Sequence, residues 1–140
     1  MKTEPTPPVL QALVLADHIY TEENGKRIIC GTFSRIFCSQ FPTVFNRPTW
    51  AFILLADVIG EVELQLCFVH LEEGKILMQS NPIKVRAVDK LTPLDLAIEI
   101  PHFPLPVAGV YSFECYANRY MIGSVRLNVA APETLQGEQK

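Results

Sequence analysis

The sequence lacks the closely spaced cysteine and histidine pairs from which most metal and redox motifs are built. Its four cysteines stand far apart and form no CxxC pair, and the three histidines, His18, His70 and His102, are equally scattered. We therefore predict neither a metal centre nor a cofactor. The cysteines are interpreted as reduced thiols that pack as small apolar side chains.

Other features are also absent. The formal net charge is -3, without the basic balance typical of proteins that contact phosphates, so nucleic acid is not an expected partner. The glycines are scattered singly, and no serine lies in a Gly-x-Ser-x-Gly elbow. The longest apolar stretch, 50–59, contains Asp57, and a spanning helix needs roughly twenty residues. With no signal-peptide layout at the N-terminus, we predict a cytoplasmic protein that does not bind membranes.

The chain has the composition of one folded domain. It contains 140 residues, of which 49% are hydrophobic and 19% charged, enough apolar material for a sizeable core. Apolar β-branched and aromatic runs are short and are interrupted by Gly, Pro, Asn or Asp. This rhythm is typical of antiparallel β-sandwiches. We predict an all-β domain over residues 9–130, with flexible segments at 1–8 and 131–140.

The clearest local prediction is a hairpin at the start of the domain. Residues 9–20 form an apolar run, and Asn24-Gly25 supplies the positive φ angles that a tight turn needs. Residues 27–38 return as the second strand. Within it, Gly31 is interpreted as a bulge or a point of close packing.

Later segments follow the same pattern. Residues 50–58 are apolar on both faces, as in a central strand buried between layers. Residues 62–68 alternate strictly, which predicts a half-buried strand. Residues 94–100 also alternate, and with Pro93 and Pro101 on either side this argues against a helix. The total is about eight strands in two packed antiparallel sheets, and immunoglobulin-like, C2-like and jelly-roll topologies remain open.

Several segments resemble those of a known family. An apolar strand ends in aspartate at 13–17, and a Gly-Lys hairpin leads to a return strand with glycine before an aromatic residue at 25–33. Phe41-Pro42 follows, and the ending at 106–113 with 127–129 also fits. In these segments the chain resembles a family of small bacterial proteins defined as a domain of unknown function. The resemblance implies a β-sandwich and brings no activity, substrate or catalytic residue.

The polar residues have ordinary structural interpretations. Asp17 and His18 are adjacent in a strand and point to opposite faces, so they cannot act as a hydrogen-bonded dyad there. His70 follows the inward-facing residues of the strand at 62–68 and is expected to pack at the rim of its sheet. The acids Asp57, Glu61 and Glu63 surround one turn without the spacing of a calcium loop, and are read as solvated side chains.

Two groups of residues are candidates for an interaction surface. Lys84 and Arg86 share one strand face, which Arg126 joins if the last strands are neighbours; this cluster either binds an acidic partner or protects a sheet edge. Large apolar side chains also occur on two Pro-rich loops, where they either form a contact surface or close the ends of the core. The predicted interaction surface consists of Phe41, Phe45, Trp50, Phe103, Leu105, Lys84 and Arg86.

These features predict a non-enzymatic protein-interaction or structural module, with no pathway indicated. The expected partner is a protein, self-association included, because sandwiches often serve as recognition scaffolds. One alternative is a small-ligand-binding sandwich with a pocket lined by aromatics such as Trp50 and Tyr111. The other is an enzyme in which folding brings a carboxylate close to His70 or His18.

Overall fold

The computed structural model describes residues 6–132. The flexible segments predicted at 1–8 and 131–140 therefore lie mostly outside the described residues. Between them, the strands are β1 (Val9–Thr21), β2 (Arg27–Thr32), β3 (Arg35–Phe37), β4 (Thr43–Phe45), β5 (Trp50–Ala56), β6 (Glu61–His70), β7 (Lys75–Gln79), β8 (Ile83–Arg86), β9 (Leu94–Glu99), β10 (Phe103–Leu105), β11 (Gly109–Ala117) and β12 (Tyr120–Ala130).

The strands form three sheets, which confirms the all-β prediction. One sheet has the order β2-β1-β5-β9, and a larger one has the order β3-β12-β11-β6-β7, with β8 also paired to β6. A two-stranded ribbon joins β4 to β10. Neighbouring strands are antiparallel, apart from the parallel pair of β3 and β12. Apolar side chains from both larger sheets meet in a single core.

The strand count differs from the predicted eight, since residues 6–132 contain twelve strands. Three of the additional elements, β3, β4 and β10, are only three residues long. Strands β4 and β10 lie in the Pro-rich segments that the sequence analysis treated as loops. A strand of three residues shows too little alternation to stand out from a loop, and Pro104 within β10 removes one ladder donor.

Aromatic rings fill the centre of the core. The ring of Phe68 on β6 stacks on Tyr111 with centroids 5.0 Å apart, and it contacts Phe103 at 4.6 Å and Phe113 at 4.8 Å. The Tyr111 hydroxyl donates a hydrogen bond of 2.6 Å to the Val107 carbonyl. Burial raises the pKa of the Tyr111 hydroxyl, although this hydrogen bond opposes the shift. The ring is thus fixed at its polar end as well as by stacking.

The outer edge of β6 is shared by two strands. Strand β8 pairs with residues 61–64 of β6, and β7 pairs with residues 67–70. Between these stretches, Ser80 replaces the missing ladder partner: its N–H donates to the Leu66 carbonyl, and its hydroxyl accepts the Leu66 N–H at 2.9 Å. A buried serine therefore bridges the gap between two strands.

The turn of the predicted first hairpin is confirmed, and Gly31 is its point of close packing. The return strand predicted over 27–38 is too long, because β2 ends at Thr32 and residues 35–37 form β3 in the other large sheet. Gly25 occupies the turn with a φ of 87°, and β2 pairs with β1 from Thr21↔Arg27 onwards. Gly31 has a φ of 72°, and a Cβ added there would collide with the Asp17 carboxylate. Both the backbone conformation and the space favour glycine at this position.

We expect Gly31→Ala to lower the free energy of unfolding by about 1–2 kcal/mol, because an L-residue is strained at positive φ, and by a further amount because Asp17 must move. Urea unfolding measures the loss. Gly60→Ala is the matched control, since Gly60 has a φ of 66° and no atom within 4 Å of an added Cβ. Equal losses of unfolding free energy in the two variants would show that the close approach of Asp17 does not contribute to the effect.

The first hairpin also curls over the outer face of its sheet. Arg27 on β2 bonds to the Asp95 carboxylate on β9 with an Nε–Oδ2 distance of 3.2 Å, although β1 and β5 separate these strands in the sheet order. Asp95 alternates with the core-packed Leu94 and Leu96, so it faces away from the core. The hairpin must therefore cover part of the second face of β5. This covering explains why β5 is apolar on both faces.

Candidate functional site

Two residues of the predicted interaction surface lie inside the core. Phe103 is 1% exposed and Leu105 is 0% exposed, so their prediction as surface residues is wrong. Pairing of β10 with β4 turns both side chains inward, where Phe103 stacks on Phe45 with centroids 5.1 Å apart. For these two residues, the alternative that they close the core is the one the structure shows.

The other apolar candidates lie in different surroundings. Trp50 lies on β5, with its ring 5.1 Å from the His18 ring, and its buried Nε1 has no hydrogen-bond partner among residues 6–132. Phe41 is half-buried and packs against the core. Phe45 packs against the core and also lines an open cleft beside the segment 33–47, which is described below. Of the apolar candidates, only Phe45 therefore reaches this cleft.

The basic candidates lie on β8 next to acidic neighbours. Lys84 is directly opposite Glu63, and Arg86 is opposite Glu61, in the antiparallel register of β6 and β8. Cross-strand pairs of opposite charge stabilise a sheet and reduce the local positive potential. Arg126 does not join them, because it lies on β12 opposite Ser112 of β11. The structure thus places two charge-balanced basic residues on an edge strand.

The three histidines have separate environments. The Nδ1 of the buried His70 is 3.8 Å from the exposed Glu73 carboxylate, beyond hydrogen-bond distance, and its ring packs on Tyr111 at 4.8 Å. Its Nε2 has no partner within the described part of the chain. The His18 ring lies 4.2 Å from Tyr20, and His102 is exposed. None of them is among the residues that line the cleft.

Within residues 6–132, the side chains do not form an assembled site for a metal ion or for thiol chemistry. No group of three or more His, Cys, Asp or Glu side chains in that range is arranged to hold a metal ion. All four cysteines are free thiols. Burial raises the pKa of the Cys115 thiol to about 11, which keeps it protonated and unreactive at neutral pH.

A cleft of about 540 Å³ opens in the surface beside the segment 33–47. One wall is β3, which pairs with β12, and the other is β4, which pairs with β10. Its lining comprises Asp17, Phe33, Arg35, Ile36, Phe37, Cys38, Ser39, Gln40, Thr43, Val44, Phe45, Asn46 and Arg47. The lining therefore contains both apolar and polar side chains, on and around two short strands.

The mouth of the cleft exposes large apolar side chains beside a cation. Phe37 is 43% exposed and Val44 is 55% exposed, and Arg47 is exposed at the end of the same segment. The aromatics of this segment stood out in the sequence, whereas Val44, Arg35 and Arg47 did not. Their common position depends on the pairing of β3 with β12, which no local pattern indicates.

The described residues contain no helix that is long and apolar enough to cross a bilayer. In comparisons with known proteins, a family of unknown function (DUF6941) matches residues 11–130. No curated protein matches the chain.

Two solved structures show distant similarity. One is the alkylpurine DNA glycosylase AlkC of Pseudomonas fluorescens, bound to DNA containing an abasic site analogue, with 10% identity and a TM-score of 0.47. The match covers 85% of this chain but spans only 30% of the glycosylase. The other is an immunoglobulin-like protein from Pseudomonas aeruginosa, with 12% identity and a TM-score of 0.36, over 89% of this chain and 97% of that protein.

Proposed function

Because the chain belongs to the family of unknown function DUF6941, which supplies no activity to transfer, we propose from its structure that it is a non-enzymatic protein-interaction module. The binding site is the cleft between β3 and β4, and the partner is another protein. The net charge of -3 and the mixed lining of the cleft favour a protein over a nucleic acid.

The observation that carries this proposal is the exposure of Phe37 and Val44 at the mouth of the cleft. Single exposed apolar residues are ordinary, but here they border a concave surface with half-buried aromatics and a flanking arginine. Protein interfaces combine an apolar centre that includes aromatic residues with a polar rim in this way.

A small-ligand site is a second candidate, favoured by one observation. The cleft volume of about 540 Å³ lies within the range of roughly 300–1,000 Å³ common for ligand pockets. However, such pockets cover most of the surface of their ligand, whereas this cleft is partly open to solvent. The aromatics expected to line a ligand pocket, Trp50 and Tyr111, do not line it. An open, strand-walled surface fits a chain segment better than a compact molecule.

A photo-crosslinking experiment tests the proposal. A photoreactive benzoylphenylalanine replaces Val44 in one variant and, as a control, the 94% exposed Val88 in another. Irradiation in cells is expected to attach one defined protein to the Val44 variant only, and mass spectrometry identifies it or detects a second copy of this chain. The purified partner should then bind Val44→Asp about tenfold more weakly than the parent and bind Val88→Asp normally.

Two results would contradict the proposal. The first is the same cross-linked products from both positions, which would indicate random collision. The second is a partner whose affinity is equally unaffected by Val44→Asp and Val88→Asp, because a charge buried in a true contact must weaken binding.

A further inference from the structure

We infer that a lysine ammonium of the partner binds at the end of β6, in a small gap beside Gly109 that His70 and Glu72 face. This inference rests on the proposed function and specifies a second contact, outside the cleft. It follows from an unpartnered imidazole nitrogen, from the space that Gly109 leaves and from the charge of the turn between β6 and β7.

His70 has a buried polar atom without a partner. The residue is 4% exposed, and its Nε2 accepts or donates no hydrogen bond among residues 6–132. Its other ring nitrogen, Nδ1, lies 3.8 Å from the Glu73 carboxylate, and a carboxylate on that side favours a proton on Nδ1. In a neutral imidazole the second nitrogen is then an acceptor. Nε2 is therefore a buried acceptor, a kind of atom that folded proteins rarely leave unbound.

Gly109 leaves a gap beside this acceptor. A Cβ added at Gly109 would lie 3.5 Å from the His70 Nε2 and 3.4 Å from the Glu72 Oε1. Apart from the chain neighbours of Gly109, no other atom of the described residues lies within 4 Å of that point. The gap thus has room for a group the size of a methyl, and two acceptors face it.

The size of the gap and its two acceptors select a lysine ammonium. An ammonium group is about as large as a methyl group, carries three donors and is charged at neutral pH. Distances of 3.4 and 3.5 Å need only a small shift of the flexible Glu72 side chain to become hydrogen bonds. A metal ion would need bonds of about 2.0–2.2 Å to the same atoms. A planar guanidinium is larger than the gap.

The charge of the turn also favours a cation. Glu72 and Glu73 are both exposed, and neither forms an ion pair with a lysine or arginine in the described part of the chain. Lys75 is directly opposite His70 on β7, but it is exposed and has no ion pair within residues 6–132. Two carboxylates beside a single lysine leave this end of the strand negative.

The gap lies near the cleft in the larger sheet. Gly109 of β11 is opposite Val129 of β12, and Val129 is opposite Ile36 of β3, which lines the cleft. Adjacent strands are about 4.8 Å apart, so about 10 Å separates β11 from β3. A partner that occupies the cleft can therefore extend a long side chain to the gap.

Nuclear magnetic resonance of the intact protein tests the inference. A long-range 1H–15N spectrum shows which ring nitrogen of His70 carries the proton, and Nδ1 is expected. The blocked tripeptide acetyl-Ala-Lys-Ala-amide, titrated at neutral pH, should shift the Nε2 resonance. The same peptide with an Nε-acetylated lysine should leave it unchanged, because acetylation removes the charge. A tripeptide of alanine with a free N-terminus should bind more weakly, because the backbone beside its ammonium does not fit the gap.

Variants of the protein provide the matched comparison. Glu72→Gln should weaken binding of the lysine peptide about fivefold, the upper range for an exposed ion pair. Glu23→Gln is the control, because Glu22 and Glu23 form a similar exposed pair in the first hairpin turn, and it should bind like the parent. Gly109→Ala, whose methyl group fills the gap, should abolish binding. Circular dichroism establishes that each variant is folded, and Glu72→Gln decides if Gly109→Ala is not.

The outcomes separate the two proposals. A proton on Nε2, an equal shift with the acetylated or the lysine-free peptide, or equal binding by Glu72→Gln and Glu23→Gln would each overturn the lysine inference. The module function would then still stand if cross-linking at Val44 had identified a partner that Val44→Asp weakens. Lysine binding without any cross-linked partner would support the ammonium site and contradict the module function.

Discussion

Phe68→Ala is expected to lower the free energy of unfolding by about 3–5 kcal/mol, the usual cost of removing a buried phenylalanine ring. Phe68 has no exposed surface, and its ring contacts three other aromatic side chains. Removing it leaves a cavity that the surrounding strands cannot fill, because those rings are held on β11 of the larger sheet and on β10 of the ribbon. Urea or thermal unfolding of the purified variant measures the loss.

The matched control for this prediction is Phe37→Ala. Phe37 lies on β3 and is 43% exposed, so its loss should change stability by about 0.5 kcal/mol or less. A comparable loss in both variants would mean that the aromatic cluster does not determine stability. Tyr111→Phe offers a finer comparison, since it keeps the ring and removes only the hydrogen bond to Val107.

Ser80→Ala is expected to lower the free energy of unfolding by about 1–3 kcal/mol, although only one oxygen atom is removed. The Ser80 hydroxyl is the acceptor for the buried Leu66 N–H, and that N–H lies where neither β7 nor β8 continues the ladder. Without the hydroxyl, a buried donor loses its partner. Unfolding experiments report the free energy, and amide hydrogen exchange should show faster exchange at Leu66.

The exposed Ser124 provides the control, because Ser124→Ala should leave stability unchanged within about 0.5 kcal/mol. If Leu66 exchange in Ser80→Ala matched that of the parent protein, the hydroxyl would not be its essential acceptor.

Local sequence patterns predicted the turns and strands whose structure depends on neighbouring residues. Asn24-Gly25 indicated the first turn, and the alternation of Leu94, Leu96 and Ile98 correctly favoured a strand over a helix. Elements formed by distant pairing were missed. Strand β10 contains Pro104, which argues against a strand unless the partner is known, and that partner lies far away in sequence at 43–45.

The candidate site was only partly predictable for the same reason. The apolar character of Phe45 was visible in the sequence, and its segment was proposed as a contact surface. Arg47 had no distinguishing pattern, because a lone arginine in a loop is ordinary until the surrounding walls are known. The burial of Phe103 and Leu105 also depends on pairing: three residues of β10 suffice to turn both side chains inward.

The parallel pairing of β3 with β12 has a consequence for the timing of synthesis. Arg35 pairs with Asn128 and Phe37 with Ala130, so one wall of the cleft is held by the end of β12. During translation, β3 and β4 leave the ribosome before β12 and β10, the strands with which they pair. The cleft is completed only after β12 emerges and docks, so a partner that needs both walls distinguishes finished chains from nascent ones.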